Sequence, residues 1–336
     1  MSTPFPVTPA ANELPTPPRA LLRGTQVERF EILRVLADAA SNIEYVALDQ
    51  TERIEVVLKE YMPQRLGRRK GDALRPLTPG AAIPLAAGLR SFIDEGRMLA
   101  SIDHPALVRV LGMIEANGTA YMVMPLYDGL RLQHARQSMS VPPDERLLRP
   151  LIDGLLSALE AMHAREMLHG AVSPGNILLL SDERAVLLGP DLARLVIADD
   201  LVESLMTAVE PSFEAPEQLT PSASKPLGPW TDLYSLAETI RFCIGGELRP
   251  PYVVPGGQRE TMARMVQRLF GQPPTAVYAP ALLETLDAAL DPYASARPQS
   301  AARFRELLGV LPVETEAPPA LAPMPGPPHA DALAPL

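Results

Sequence analysis

Between Phe30 and Met62 the chain carries three runs, "FEILRVL", "IEYVALD" and "IEVVLKEYM", that alternate apolar and polar residues or are rich in β-branched ones. Small or polar residues separate them, which predicts a meander of short antiparallel strands. A Gly/Pro-rich stretch to Gly80 leads into a helical period from about Leu85 to Ile102. The strand-like "ALVRVLGMIE" and "TAYMVMPLY" follow, joined by Asn117-Gly118, a strong hairpin signal. After Gly129 the period changes from two to 3.6. "ERLLRPLIDGLLSALEAMHAREM", "WTDLYSLAETIRFCIG", "QRETMARMVQRLFG", "PALLETLDAALD" and "SAARFRELLG" all read as helices. A small sheet-rich unit therefore precedes a larger helical one, and an α+β fold in two lobes is expected, with the boundary near Leu126 to Leu130.

The composition supports a large core: 47% of 336 residues are hydrophobic. Prolines gather at the ends, so residues 1–25 and 312–336 read as disordered Pro-rich tails around lobes at 26–129 and 130–311. Neither a signal peptide nor a membrane span is expected, which makes a cytoplasmic location the default. The single cysteine, Cys243, excludes an internal disulfide and reads as core, and no metal-ligand spacing occurs. A formal charge of -10 gives no general attraction to nucleic acid. The basic run Arg65 to Arg75, "RLGRRKGDALR", reads as a solvated loop, with a phosphate or partner site as the alternative.

Several short motifs add chemistry to this layout. "VVLKEYMP" contains Lys59 on the third strand, and "FIDEGRMLASIDHPALVRVLG" contains Glu95 on the first long helix. "LHGAVSPGNILLL" spans Leu168 to Leu180, "EAPEQL" contains Glu217, "GPWTDLYSLA" contains Asp232 and "DPYASARPQS" contains Arg297. In this order and spacing, over about residues 28 to 311, the chain resembles the bilobal protein kinase fold. It is most similar to the eukaryotic-like serine/threonine kinases of bacteria. The resemblance implies that Lys59, oriented by Glu95, meets nucleotide phosphates. It also implies that "YMVMPLYDG" is the lobe-connecting hinge, with Met124 as gatekeeper and Pro125 and Tyr127 offering backbone groups to adenine. Met122 and Met124 by themselves read as core. Glu217, Arg297, Asp232 and His169 are implied to be framework.

The departures from the family pattern fall where the chemistry would be. "ADAASN" stands for the glycine-rich loop, with Ala37, Ala39 and Asn42 at its glycine positions and Asp38 adding negative charge where phosphates would lie. Gly170, Ala171 and Ser173 stand for the arginine, catalytic aspartate and lysine of the catalytic loop. In "VLLGPDLAR", Gly189, Pro190 and Asp191 replace the metal-binding Asp-Phe-Gly. Ala171 cannot accept a proton from a hydroxyl, and Ser173 cannot offset phosphoryl charge. Asn176 and a displaced Asp191 are the remaining metal candidates, a poor set for magnesium.

The expectation is a pseudokinase with no catalytic residue at the degenerate positions Ala171, Ser173 and Gly189. Lys59, Glu95, Met124, Pro125, Tyr127 and Asn176 are its candidate nucleotide contacts, ATP or ADP the implied cofactor, and a protein in a signalling pathway the implied partner. Two other readings stay open. One is an atypical but active serine/threonine kinase, and the other an interaction module whose cleft holds nothing.

Overall fold

The computed structural model describes residues 19–182, 184–189, 213–219, 226–248, 260–271, 273 and 277–309. The expected meander forms one six-stranded antiparallel sheet. Its strands are β1 (Gln26–Val27), β2 (Phe30–Asp38), β3 (Asn42–Asp49), β4 (Ile54–Tyr61), β7 (Gly112–Ala116) and β8 (Thr119–Pro125), ordered β1-β2-β3-β4-β8-β7. Helix α1 (Ala82–Ala100) packs on this sheet through Phe92, Ile93 and Leu99. Asn117 and Gly118 form the β7–β8 turn, both with positive φ (56° and 69°), as the mirror-image hairpin turn requires.

The basic run is not a solvated loop. It forms a hairpin, β5 (Gly67–Lys70) and β6 (Ala73–Pro76), that covers the outer face of the sheet with the buried Leu66 and Leu74. Covered on both sides, β4 is buried continuously from Val56 to Tyr61 instead of alternating. The polar residue this cover encloses is Glu60, fully buried, and it is fully partnered. Arg69 ion-pairs with it at 2.5 Å, and the hydroxyls of Tyr45 and Tyr121 donate to it at 2.7 and 3.1 Å. Burial and the nearby carboxylate push both tyrosines well above the usual phenol range. A buried carboxylate partnered on this scale locks the hairpin to the sheet.

Residues 19–25, upstream of the expected boundary at residue 26, are part of the described fold. Ala20 and Leu21 are buried in the core, and the Leu21 N–H donates to the Tyr45 hydroxyl at 3.0 Å. Residues 1–18 and 310–336, where tails are expected, lie outside the described residues.

Beyond the hinge, β9 (Gly129–Arg131) pairs with β10 (Ile177–Leu180), which pairs with β11 (Ala185–Leu187). The lobe boundary thus falls at residues 126–128. The helical lobe comprises α2 (Leu132–Ser138), α3 (Glu145–His163), α4 (Pro216–Leu219), α5 (Pro229–Gly245), α6 (Met262–Phe270), α7 (Pro280–Ala289) and α8 (Ala301–Leu308). Helix α5 is its axis, buried on every side from Thr231 to Ile244, so its polar residues need internal partners. Arg241 pairs with Glu238, and Ser235 and Thr239 bond back to the backbone one turn earlier. No helix of the described residues is long and apolar enough to cross a membrane.

The framework pair is present. Arg297 meets Glu217 through two parallel hydrogen bonds, 2.8 and 3.0 Å, with both residues 3% exposed, and its guanidinium lies 4.7 Å from the Tyr234 ring centre. Thr231 donates to the same carboxylate at 2.9 Å. Removing one partner strands a buried charge, so Arg297→Met is expected to cost about 3–5 kcal/mol. Cys243 provides the readout: burial pushes its thiol up to about 12 and it is 1% exposed. Thiol labelling at neutral pH should therefore follow global unfolding and shift to lower denaturant in the variant.

Candidate functional site

The two lobes enclose a cavity of about 580 Å³ lined from both sides. Part of its lining is apolar: Leu36 from β2, Val57 from β4, Met124 from β8 and Leu178 from β10 together make an apolar slot between the lobes. Leu36 is 41% exposed although large and apolar, a surface suited to a planar ring lying against it. Of the two hinge methionines, Met124 lines the cavity, while Met122 is fully buried core. Pro125, Leu126 and Tyr127 form the edge, and the Tyr127 hydroxyl is anchored by the Arg109 N–H at 3.1 Å.

Deeper in the cleft lies Lys59, only 7% exposed. Lys59 and Glu95 converge on Gly189. A Cβ added there would sit 3.8 Å from Lys59 Nζ, 3.9 Å from Glu95 Oε1 and 3.6 Å from Leu99 Cδ1, all ordinary contacts. The position aligned with the family's metal aspartate is thus roomy and adjoins Lys59, and it holds no side chain. Pro190 and Asp191 lie outside the described residues, and with them the candidacy of Asp191.

The loop after α3 keeps its shape through Asp232. One carboxylate oxygen accepts from the Gly170 N–H at 2.7 Å, and the other from the His169 N–H at 2.9 Å and from His163 Nε2 at 2.8 Å. His169 Nε2 faces the Leu188 carbonyl at 2.6 Å and must donate, while its Nδ1 accepts from the Ala171 N–H at 3.3 Å. That pair of bonds fits the neutral ring with its proton on Nε2. Gly170 has φ +68°, a conformation glycine adopts without strain. Ala171 and Ser173, at the positions aligned with the family's catalytic aspartate and lysine, both line the cavity. Asn176 lines it too, its amide nitrogen donating to the Ala171 carbonyl at 2.9 Å.

Two charged lining residues were not legible as such in the sequence. Glu44 is the ladder partner of Lys59, and it pairs at 3.5 Å with Arg131 across the cleft, while Arg131 also donates to the Gly175 carbonyl. A glutamate alternating in a strand reads as outward-facing, and only the register places it here. Conversely, Asp38 does not add charge to the cleft. It is absent from the lining and pairs with Arg19. The carboxylates among the described lining residues are then Glu44, committed to Arg131, and Glu214. Among the described residues no group of three or more His, Cys, Asp or Glu could hold a metal. This donor set does not fit magnesium at a phosphate, whereas the apolar slot, hinge and Lys59 fit a nucleotide.

An aspartate at Gly189 would restore the missing donor in the space available. Gly189→Asp should fold with a melting temperature close to the parent's and should make ADP binding strengthen on adding magnesium. Calorimetric titrations with and without the metal check this.

Comparison with known proteins agrees with the geometry. The serine/threonine-protein kinase pkn2 of Myxococcus xanthus is 29% identical over 162 residues, 47% of this chain and 19% of that protein. Sperm motility kinase 2B of Mus musculus is 30% identical over 158 residues, 46% of this chain and 31% of that protein. The chain thus spans less than a third of the length of these relatives. Among solved structures, PpkA-294 in its apo form is 32% identical with a TM-score of 0.70, covering 86% of this chain and 99% of that one. The kinase domain of Mycobacterium tuberculosis PknI, 21% identical, shares the fold with a TM-score of 0.62 over 87% of this chain and 100% of its own. The sequence profile of the protein kinase domain matches residues 85–268, and the chain belongs to the protein kinase family.

Proposed function

We propose that this kinase-family domain is a pseudokinase. It binds ATP or ADP without requiring a divalent metal, does not transfer the phosphoryl group, and acts as a regulatory partner of another protein in cytoplasmic signalling. One observation carries the reading: Ala171 and Gly189 occupy the positions of the general base and the metal ligand, while Lys59, Asn176 and the apolar slot still line the same cavity. Lys59 would meet the phosphates, the Pro125 carbonyl and Tyr127 N–H would read the base, and the Leu36, Val57 and Leu178 side chains would exclude water from its faces. With no carboxylate at 171, no group there removes a proton from an attacking hydroxyl.

The magnitudes favour loss of transfer. A positioned general base is worth about 10²- to 10⁴-fold. Losing it from an enzyme of roughly 1–100 turnovers per second, together with metal ligation, leaves an expected rate below about 10⁻² per second. The second reading, an active serine/threonine kinase, is favoured by the name of the Myxococcus relative. Radiolabelled phosphotransfer with magnesium and with manganese separates the two. No incorporation is expected, and incorporation abolished by Lys59→Ala would overturn the proposal. In a thermal melt, ADP at about 100 times its Kd should add about 2.7 kcal/mol of stability to the wild type. The gain should shrink sharply in Lys59→Ala. An unchanged melting temperature in the wild type would instead favour an interaction module with an unused cleft.

A further inference from the structure

The loop that replaces the glycine-rich one is fastened from outside the cleft. Between β2 and β3, the Ala39 N–H donates to the Asn42 carbonyl at 3.0 Å. The loop is also tied to the end of β4, by Met62 N–H to the Ser41 carbonyl and Gln64 N–H to the Ala40 carbonyl, both 2.9 Å. Arg19 completes the fastening. Its guanidinium donates to the Met62 and Ala39 carbonyls and pairs with the Asp38 carboxylate. The two side chains are 17% and 26% exposed, so the pair is largely shielded.

Arg19 is itself held. Its carbonyl accepts from Arg69 Nε at 2.6 Å, and the same Arg69 pairs with Glu60, the neighbour of Lys59 on β4. One continuous set of polar contacts therefore runs from the loop, through the segment before β1, to the strand that carries Lys59. Asp38 sits between Ala37 and Ala39, both of which line the cavity. Left unpaired, its charge would lie next to the cavity-lining Ala37 and Ala39 and repel an anion held beneath the loop. In a partly shielded position near the cleft, one such charge is worth roughly fivefold in affinity.

We infer that Arg19 is a positioning residue for the cleft. By cancelling the charge of Asp38 it lets the segment before β1 set the affinity for a nucleoside di- or triphosphate, and by its bonds to the Met62 and Ala39 carbonyls it separately holds the loop in place. The affinity half of this inference rests on the nucleotide-binding reading above, while the loop-holding half does not.

The test compares the full chain with Arg19→Gln, Asp38→Asn and the double variant, by calorimetry with ADP and by amide hydrogen exchange without ligand. Arg19→Gln should weaken ADP binding about fivefold and speed exchange at residues 39–42, 62 and 64, leaving α5 unchanged. Asp38→Asn alone leaves the Arg19 charge uncancelled and should hold or strengthen ADP binding, not weaken it. The double variant should return to within about twofold of the parent, a rescue that general structural damage would not produce. Wild-type affinity in Arg19→Gln, or a double variant as weak as Arg19→Gln, would overturn the inference. If the parent itself binds no ADP, the nucleotide reading fails, and exchange decides the remaining half: faster exchange in Arg19→Gln upholds the fastening, and unchanged exchange overturns it.

Discussion

The Asp232 carboxylate, buried on the central helix α5 and shared among the His169 and Gly170 amides and the His163 ring, fixes the backbone of the loop that would carry catalysis. None of those bonds uses a side chain of the catalytic positions. The loop can therefore hold its shape with alanine at 171 and serine at 173, and the cleft wall it forms does not depend on the side chains at those positions. Glu217 and Arg297 do the same for the lower part of the lobe, where a buried bidentate pair resists single-sided loss. Fold and activity are thus held by separable sets of residues, which is the physical reason a member of this family can lack one while retaining the other.

Much of this was legible from periodicity. The strands from Phe30 to Tyr61, the Asn117-Gly118 turn and the later helices follow from alternation, positive-φ turn residues and 3.6-residue spacing. Those signals are local. The β5–β6 hairpin was missed because its run of cations resembles a solvated loop, and the partners that make burial of Arg69 tolerable, Glu60 and the Arg19 carbonyl, lie outside that run in the sequence. That residues 19–25 are part of the described fold was hidden by the prolines before them. In the site, Lys59, Met124 and Asn176 were found by motif, and the cavity lining includes each of them. Glu44 and Arg131 were not found, because their meeting across the cleft depends on strand register and lobe closure, which no short stretch encodes. Asp38 was read with the wrong neighbourhood, since its partner Arg19 lies upstream in a stretch taken for tail.

The cleft has a distinctive charge balance. Lys59 stands deep in it, Glu44 is tied to Arg131 at its mouth, Asp38 is neutralised from behind, and the metal-ligand position is a glycine. On the proposed reading, such a site takes a nucleotide without requiring a metal. In a working kinase the metal ions offset the phosphate charge and position the transferring group. On the proposed reading Lys59 offsets part of that charge in the binding of a nucleotide, and the transfer step lacks its metal ligand and its base.

The most direct test of this account is the affinity of the full chain for ADP, measured by calorimetry in excess chelator and again with millimolar magnesium. The account predicts the same Kd in both, within about twofold, because the position aligned with the metal aspartate is Gly189 and no metal-holding carboxylate group occurs among the described residues. Binding that appears only with magnesium would contradict it, and would return the chain to the working kinases.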